Sequence, residues 1–289
     1  MEASRDTTSP RARPDSVARV HPYAWPVESD ALTLVPAFAL GYYLVVRHRR
    51  VERWRVACFA GSLLLLVAVF ATPVDTLALH FLLTAHFLQN VTTAEWAPAL
   101  FVLALPPAAA QRVHVPMLPA LAAWLVTYFV WHVPAIYDFA LRHQHSALHG
   151  EHAMYFLSGV AVWWPVIHGG RRPAAKAAYL FSAFVLVSPL GLLLALLPDP
   201  VYGFYGARPT VWGLSHLTDQ EIAGTTMAAE QAVVFFGAFT FWFLRFLKEE
   251  ELAGRPARYP DRAQPLSSSS SASSTPASQS RDVSSSGRW

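Results

Sequence analysis

One apolar run of this chain, 77–106, carries His80, His86, Gln89, Asn90 and Glu95. Ionisable groups at membrane depth are expensive, so they turn toward protein or a water-filled cavity and mark function. At about 100° per residue, His86, Gln89, Asn90 and Thr93 share a helical face, and Glu95 lies roughly opposite His86. Further imidazoles (His132, His143, His145, His149, His152 and His216) fall at one end of the neighbouring apolar runs or in the loops between them. Imidazoles gathered at one membrane face without thiolates suit copper or zinc; they could equally carry protons or ligate haem. A second polar stripe steps along Asp219, Ala223, Met227 and Glu230 at helical spacing. Glu230 then lies about 16 Å along the axis from Asp219, at a depth similar to that of Glu95. Two carboxyl groups at mid-membrane are costly alone and are expected to meet each other or nearby donors such as Asn90, Gln231 and Trp96.

For every candidate there is a plainer role. Gln89 and Thr93 could simply tie helices together, His143 and His145 suit a solvated loop, and two imidazoles at i, i+3 such as His149 and His152 arise by accident.

The elements that must hold these residues are apolar helices. The 289 residues are 54% hydrophobic and only 14% charged, well below the roughly 25% charge of a soluble domain. Seven apolar stretches are expected to span a bilayer: 31–46, 54–72, 77–106, 117–141, 149–167, 177–197 and 219–247. The fold class is therefore all-α, a polytopic membrane bundle of seven transmembrane helices over 29–250. It is flanked by a mobile N-terminal tail, 1–28, and a Ser-rich disordered tail, 251–289. Basic clusters at Arg47–Arg55, at Arg171, Arg172 and Lys176, and at Arg245 and Lys248 fall on one side of such a bundle. The positive-inside rule makes that side cytoplasmic and the N-terminus external, although Arg5, Arg11, Arg13 and Arg19 run against it. The net charge of +3 is small and the basic residues lie between apolar runs, so nucleic acid is not an expected partner. The single cysteine, Cys58, can form no intrachain disulfide or CxxC pair. HExxH, GxGxxG and GxxxxGK[ST] patterns are absent, and no catalytic nucleophile stands out, so the chain does not read as an enzyme.

At these same residues the chain resembles the CtaG family of cytochrome c oxidase assembly factors, of the caa3-oxidase type. His86, Gln89, Ala97, Pro98 and Pro106 fall in register with HMxQHxLL…APxLLVLGxP. Trp131, His132, Pro134, Tyr137 and Asp138 match WHxPxxYDxAL, and Glu151, His152, Gly159 and Trp163–Pro165 match EHxxFLxxGxxFWWP. Pro198, Pro200, Tyr202, Trp212–Ser215, Asp219, Gln220, Gly224 and Met227 match PxPxY…WGLSxLxDQxxAGxxM. The resemblance covers roughly 30–250. It implies a multi-pass plasma-membrane protein of the respiratory chain whose partners are cytochrome c oxidase subunits and the lipid bilayer. It also implies a metallochaperone role, with copper handled at the external face by His86, His132 and His152, and Asp219 or Met227 nearby. The chain departs from the pattern at Asn90, where the family has its second histidine, and at Glu95 and Glu230, where it has apolar or small residues. Two other readings remain: a haem-binding redox protein with bis-histidine ligation, and a proton- or ion-coupled transporter using Glu95 and Glu230.

Overall fold

A computed structural model describes residues 20–26, 31–110 and 113–254. It is all-helical, with no strand among the described residues. The elements in order are α1 (Ala31–Val46), α2 (Arg53–Phe70), α3 (Pro73–His80), α4 (Leu83–Val91), α5 (Ala97–Ala104), α6 (Pro107–Ala110) and α7 (Met117–Trp131). There follow α8 (Pro134–Arg142), α9 (His149–Ile167), α10 (Pro173–Leu196), α11 (Gly203–Gly206), α12 (His216–Gln231) and α13 (Gly237–Ala253). Three π-helical turns, Thr92–Trp96, Gln144–Leu148 and Ala232–Phe236, join α4 to α5, α8 to α9 and α12 to α13. Most of both expected tails lies outside the described residues; within them, the last helix runs to Ala253.

Helix length and composition support three crossings, or four, where seven were expected. Arg53–Phe70, Pro173–Leu196 and the continuous His216–Ala253 are each long and apolar enough. Met117–Trp131 and Pro134–Arg142 make a fourth only if their 77° bend is taken within one crossing. That bend has a local cause. Pro134 has no N–H, and it pushes Val133 to extended angles (φ −64, ψ 122), so α7 cannot continue. The 77–106 run is interrupted as well, at Phe81 and Leu82, where Leu82 is extended (φ −127, ψ 123). Helix α9 has sufficient length, but His149, Glu151 and His152 sit in its first turn.

Helix α4 carries the first of the buried polar groups. It packs against α3 and α12, and its π-helical continuation packs against α9. Small residues allow the closest approaches. A Cβ on Gly224 would meet the Gly191 carbonyl oxygen and the Ala195 nitrogen, both at 2.6 Å, so α12 and α10 touch backbone to backbone. A Cβ on Gly159 would press on the Ala94 carbonyl oxygen. That oxygen sits in the π turn, and Pro98, four residues on, has no N–H to offer it. Both glycines belong to helices that frame the buried polar groups.

Candidate functional site

Four elements converge on a buried histidine pocket. Helix α4 brings His86 and Asn90, the end of α7 brings His132, α8 brings Tyr137, and α9 brings Glu151, His152 and Tyr155. His86, Glu151, Tyr137 and Tyr155 are all fully buried, and His132 is 4% exposed. The His86 and His152 rings lie 5.9 Å apart, and the Tyr137 ring lies 5.1 Å from His86. His86 Nε2 stands 3.8 Å from Glu151 Oε1, and Asn90 Nδ2 donates to that same oxygen at 3.2 Å. Phe70 closes the far side of His152, ring to ring at 4.7 Å.

The 77° bend places His132. At the end of α7 its Nδ1 lies 2.8 Å from the Tyr128 carbonyl oxygen, which can only accept, so Nδ1 carries the proton. Nε2 is then a bare lone pair, and it has no hydrogen-bond partner. An imidazole oriented through its other nitrogen by a backbone carbonyl is a common arrangement among metal-ligating histidines. The His132 ring lies 6.2 Å from Tyr137 and 5.0 Å from Phe87. The pocket's orphan atoms are His86 Nδ1 and Nε2, His132 Nε2, His152 Nε2, Asn90 Oδ1 and Glu151 Oε2. Most buried polar atoms in folded proteins have partners, so such a concentration at one place calls for an explanation.

The other expected site residues fall elsewhere. Asp219 is a helix cap. Its Oδ2 accepts from the Leu83 N–H at 2.6 Å, and its Oδ1 accepts from the Thr84 N–H at 3.1 Å and the Thr84 hydroxyl at 2.7 Å. The interruption at Phe81 and Leu82 thus frees amides at the start of α4, and a carboxylate from α12 satisfies them. With both oxygens so engaged, Asp219 does not fit as a metal ligand in this arrangement. Met227 is buried in the main apolar core. Gln89 turns away from the pocket and donates to the Val69 carbonyl and to Asp75 Oδ1, both at 2.8 Å. His143 and His149 are exposed, and His143 Nδ1 lies 2.9 Å from the Phe139 carbonyl. The His145 side chain lies outside the described residues.

Glu95 occupies the π turn on the other side of the helix from His86 and is fully buried. The Tyr128 hydroxyl donates to its Oε1, and Gln231 Nε2 reaches the same oxygen at 3.5 Å. Glu230 faces Glu95 and the Trp96 side chain. No ordinary hydrogen-bond geometry is formed at either Glu230 oxygen. Asn90 does not take part.

Among the described residues, no three His, Cys, Asp or Glu side chains are drawn together tightly enough to hold a metal ion as they stand. Glu151, Tyr128 and Tyr155 were not expected as site members. Glu151 carried a signal, its adjacency to His152 within a helical motif; the phenols carried none beyond their apolar context.

Residues 37–249 match the family described as cytochrome c oxidase caa3 assembly factor (Caa3_CtaG). The chain belongs to that family. No curated protein and no solved structure matches it. The family match takes in the histidine pocket, the Asp219 cap and the Glu95–Glu230 contact, so the whole polar interior lies within the part that defines membership.

Proposed function

We propose that this chain is a multi-pass plasma-membrane protein that assists maturation of a copper centre in the caa3-type oxidase. Copper would be its cargo, received at the external half of the bundle. The observation that carries this reading is the group of unpaired imidazole nitrogens on His86, His132 and His152 beside an unpaired Glu151 oxygen. Imidazole and carboxylate donors suit borderline ions such as copper and zinc. His86, His152 and Glu151 stand nearest one another and would form the first contacts, with the bare Nε2 of His132 at the pocket's edge. Three ligands at bonding distance require a small inward shift of rings, a change compatible with a protein that must release its cargo. The basic clusters at 47–55, 171–176 and 245–248 support the external placement of this pocket by the positive-inside rule.

A bis-histidine haem is less well supported. The His86 and His152 rings are only 5.9 Å apart, and Tyr137 and Phe70 fill the flanks into which a macrocycle would have to extend.

Metal analysis together with an absorption spectrum of the purified protein tests the proposal. Wild type is expected to carry copper without a Soret band, and His86→Ala and His152→Ala should lose it while remaining folded. Equal copper in wild type and both variants would sink the reading, and a Soret band would replace it with haem.

A further inference from the structure

The contact between Glu95 and Glu230 lies beyond the histidine pocket, with Tyr128 between them: its ring stacks on His132 and its hydroxyl donates to Glu95. The contact joins two segments of irregular helix: Glu95 lies in the π turn Thr92–Trp96, and Glu230 stands just before the π turn Ala232–Phe236. Such turns recur at functional positions because they re-aim side chains at the cost of regular hydrogen bonding. The groups that face the two carboxyls are Tyr128 from α7, Gln231 from α12 and Trp96 from the π turn. None of these is a cation.

The hydrogen bonds around Glu95 are lopsided. Oε1 receives the Tyr128 hydroxyl and, at 3.5 Å, the Gln231 amide, whereas Oε2 and both Glu230 oxygens form no hydrogen bond of ordinary geometry and Glu230 has only the Trp96 indole N–H facing it. Gln231 is fully buried, its amide turned to Glu95, and its own Oε1 is also unpaired. Two donors on one oxygen favour the ionised form of that carboxyl. Two carboxylates this close in a low-dielectric interior cannot both ionise. The hydrogen missing among the three remaining oxygens is therefore a proton on Glu230.

We propose that Glu95 and Glu230 form a proton-binding site inside the bundle, holding one exchangeable proton between an ionised Glu95 and a neutral Glu230. Binding the proton forms one O–H bond on Glu230, which donates to Glu95; releasing it requires a cation to take its place between the two carboxylates. The proton site does not require copper, so its test is distinct from that of the proposed function.

Infrared spectroscopy of the purified full-length protein, with glutamate side-chain carboxyls labelled with carbon-13, provides the test. Subtracting the spectrum of Glu95→Gln/Glu230→Gln from that of wild type should leave one protonated-carboxyl band and one set of carboxylate bands. The single variants keep the test informative if the double variant fails to fold. Glu95→Gln should remove only the carboxylate contribution, and Glu230→Gln should remove the protonated band. No protonated band in the difference would mean that both groups are ionised, and a sodium or potassium ion would then take the proton's place. Two protonated bands with no carboxylate would mean that both are neutral. Either result overturns the shared proton.

Discussion

Asp219 and Glu151 are both buried carboxyls in the same bundle, yet their surroundings differ sharply. Asp219 accepts hydrogen bonds on both oxygens and closes the open start of α4. Glu151 accepts one, from Asn90, and otherwise faces His86 with an orphan Oε2. A buried group left without partners loses its desolvation energy with no return, so a fold retains it only where something else requires it. Of this pair, the satisfied carboxyl belongs to the scaffold and the unsatisfied one to the pocket. The contrast extends to their neighbours: Gln220 is fully bonded, while both ring nitrogens of His86 are bare.

The sharpest way to break this division is to remove the cap. Asp219→Ala strands the Leu83 and Thr84 amides at the buried helix start. The expected loss is about 2–5 kcal/mol, the range for capping and for charged hydrogen bonds left unmade. Unfolding of the detergent-solubilised protein measures it, and wild-type stability in that variant would remove Asp219 from the scaffold. Gln220→Leu is the next test. Its Oε1 accepts from the Val201 N–H at 2.8 Å, and its Nε2 donates to the Leu194 and Asp199 carbonyls at 3.2 and 3.3 Å. A loss of about 1–3 kcal/mol should follow, with copper content per folded molecule unchanged.

His86→Leu probes the other side of the comparison. Because neither ring nitrogen has a partner, an apolar replacement of similar size strands little. Stability should stay within about 1 kcal/mol of wild type or rise slightly, while bound copper disappears. A loss as large as that of Asp219→Ala would place His86 in the scaffold and cost the site its central ligand.

These contrasts also show what could be read along the chain. The apolar runs at 31–46 and 149–167 correspond closely to α1 and α9, because length and composition determine where a long apolar helix can lie. The run 117–141 reads as one span, and the structure breaks it at Pro134, which drives the residue before it out of the helical region. No glycine or proline marks the interruption at Phe81 and Leu82, and the carboxylate that stabilises it lies 136 residues away from Leu83. Asp219 looked like a ligand for the same reason: its type and depth could be read, but its occupation by two amides could not. The joining of His86 and His152 to one pocket was suggested by motifs on separate helices. The approach of Glu151 to His86 depends on how α9 is rotated against α4, and a π turn precedes α9. Glu95 and Glu230 could be placed at a common depth from rise per residue, whereas the Tyr128 hydroxyl that fixes Glu95 comes from a helix that carries no polar pattern of its own.

The smallest expected change in stability comes from restoring a histidine at position 90. Asn90 stands where the CtaG pattern carries its second imidazole, one helical turn beyond His86, and it contributes a single hydrogen bond of 3.2 Å to Glu151 Oε1. An imidazole at this position can keep that bond by donating a ring N–H, as the amide does. The Oδ1 of Asn90 has no partner to lose. Stability of Asn90→His should therefore differ from wild type by less than about 1 kcal/mol. Metal binding should respond far more. A histidine at 90 adds an i, i+4 nitrogen donor facing the same pocket as His86, and the ion need no longer draw in His132 from α7. Copper should bind more tightly in Asn90→His, and its retention should become less sensitive to His132→Ala than in the parent chain. Competition with a copper-binding chelator measures both quantities on folded protein. Unchanged affinity together with unchanged stability would mean that position 90 supports Glu151 alone, and that copper, if carried, is held on the α9 side of the pocket.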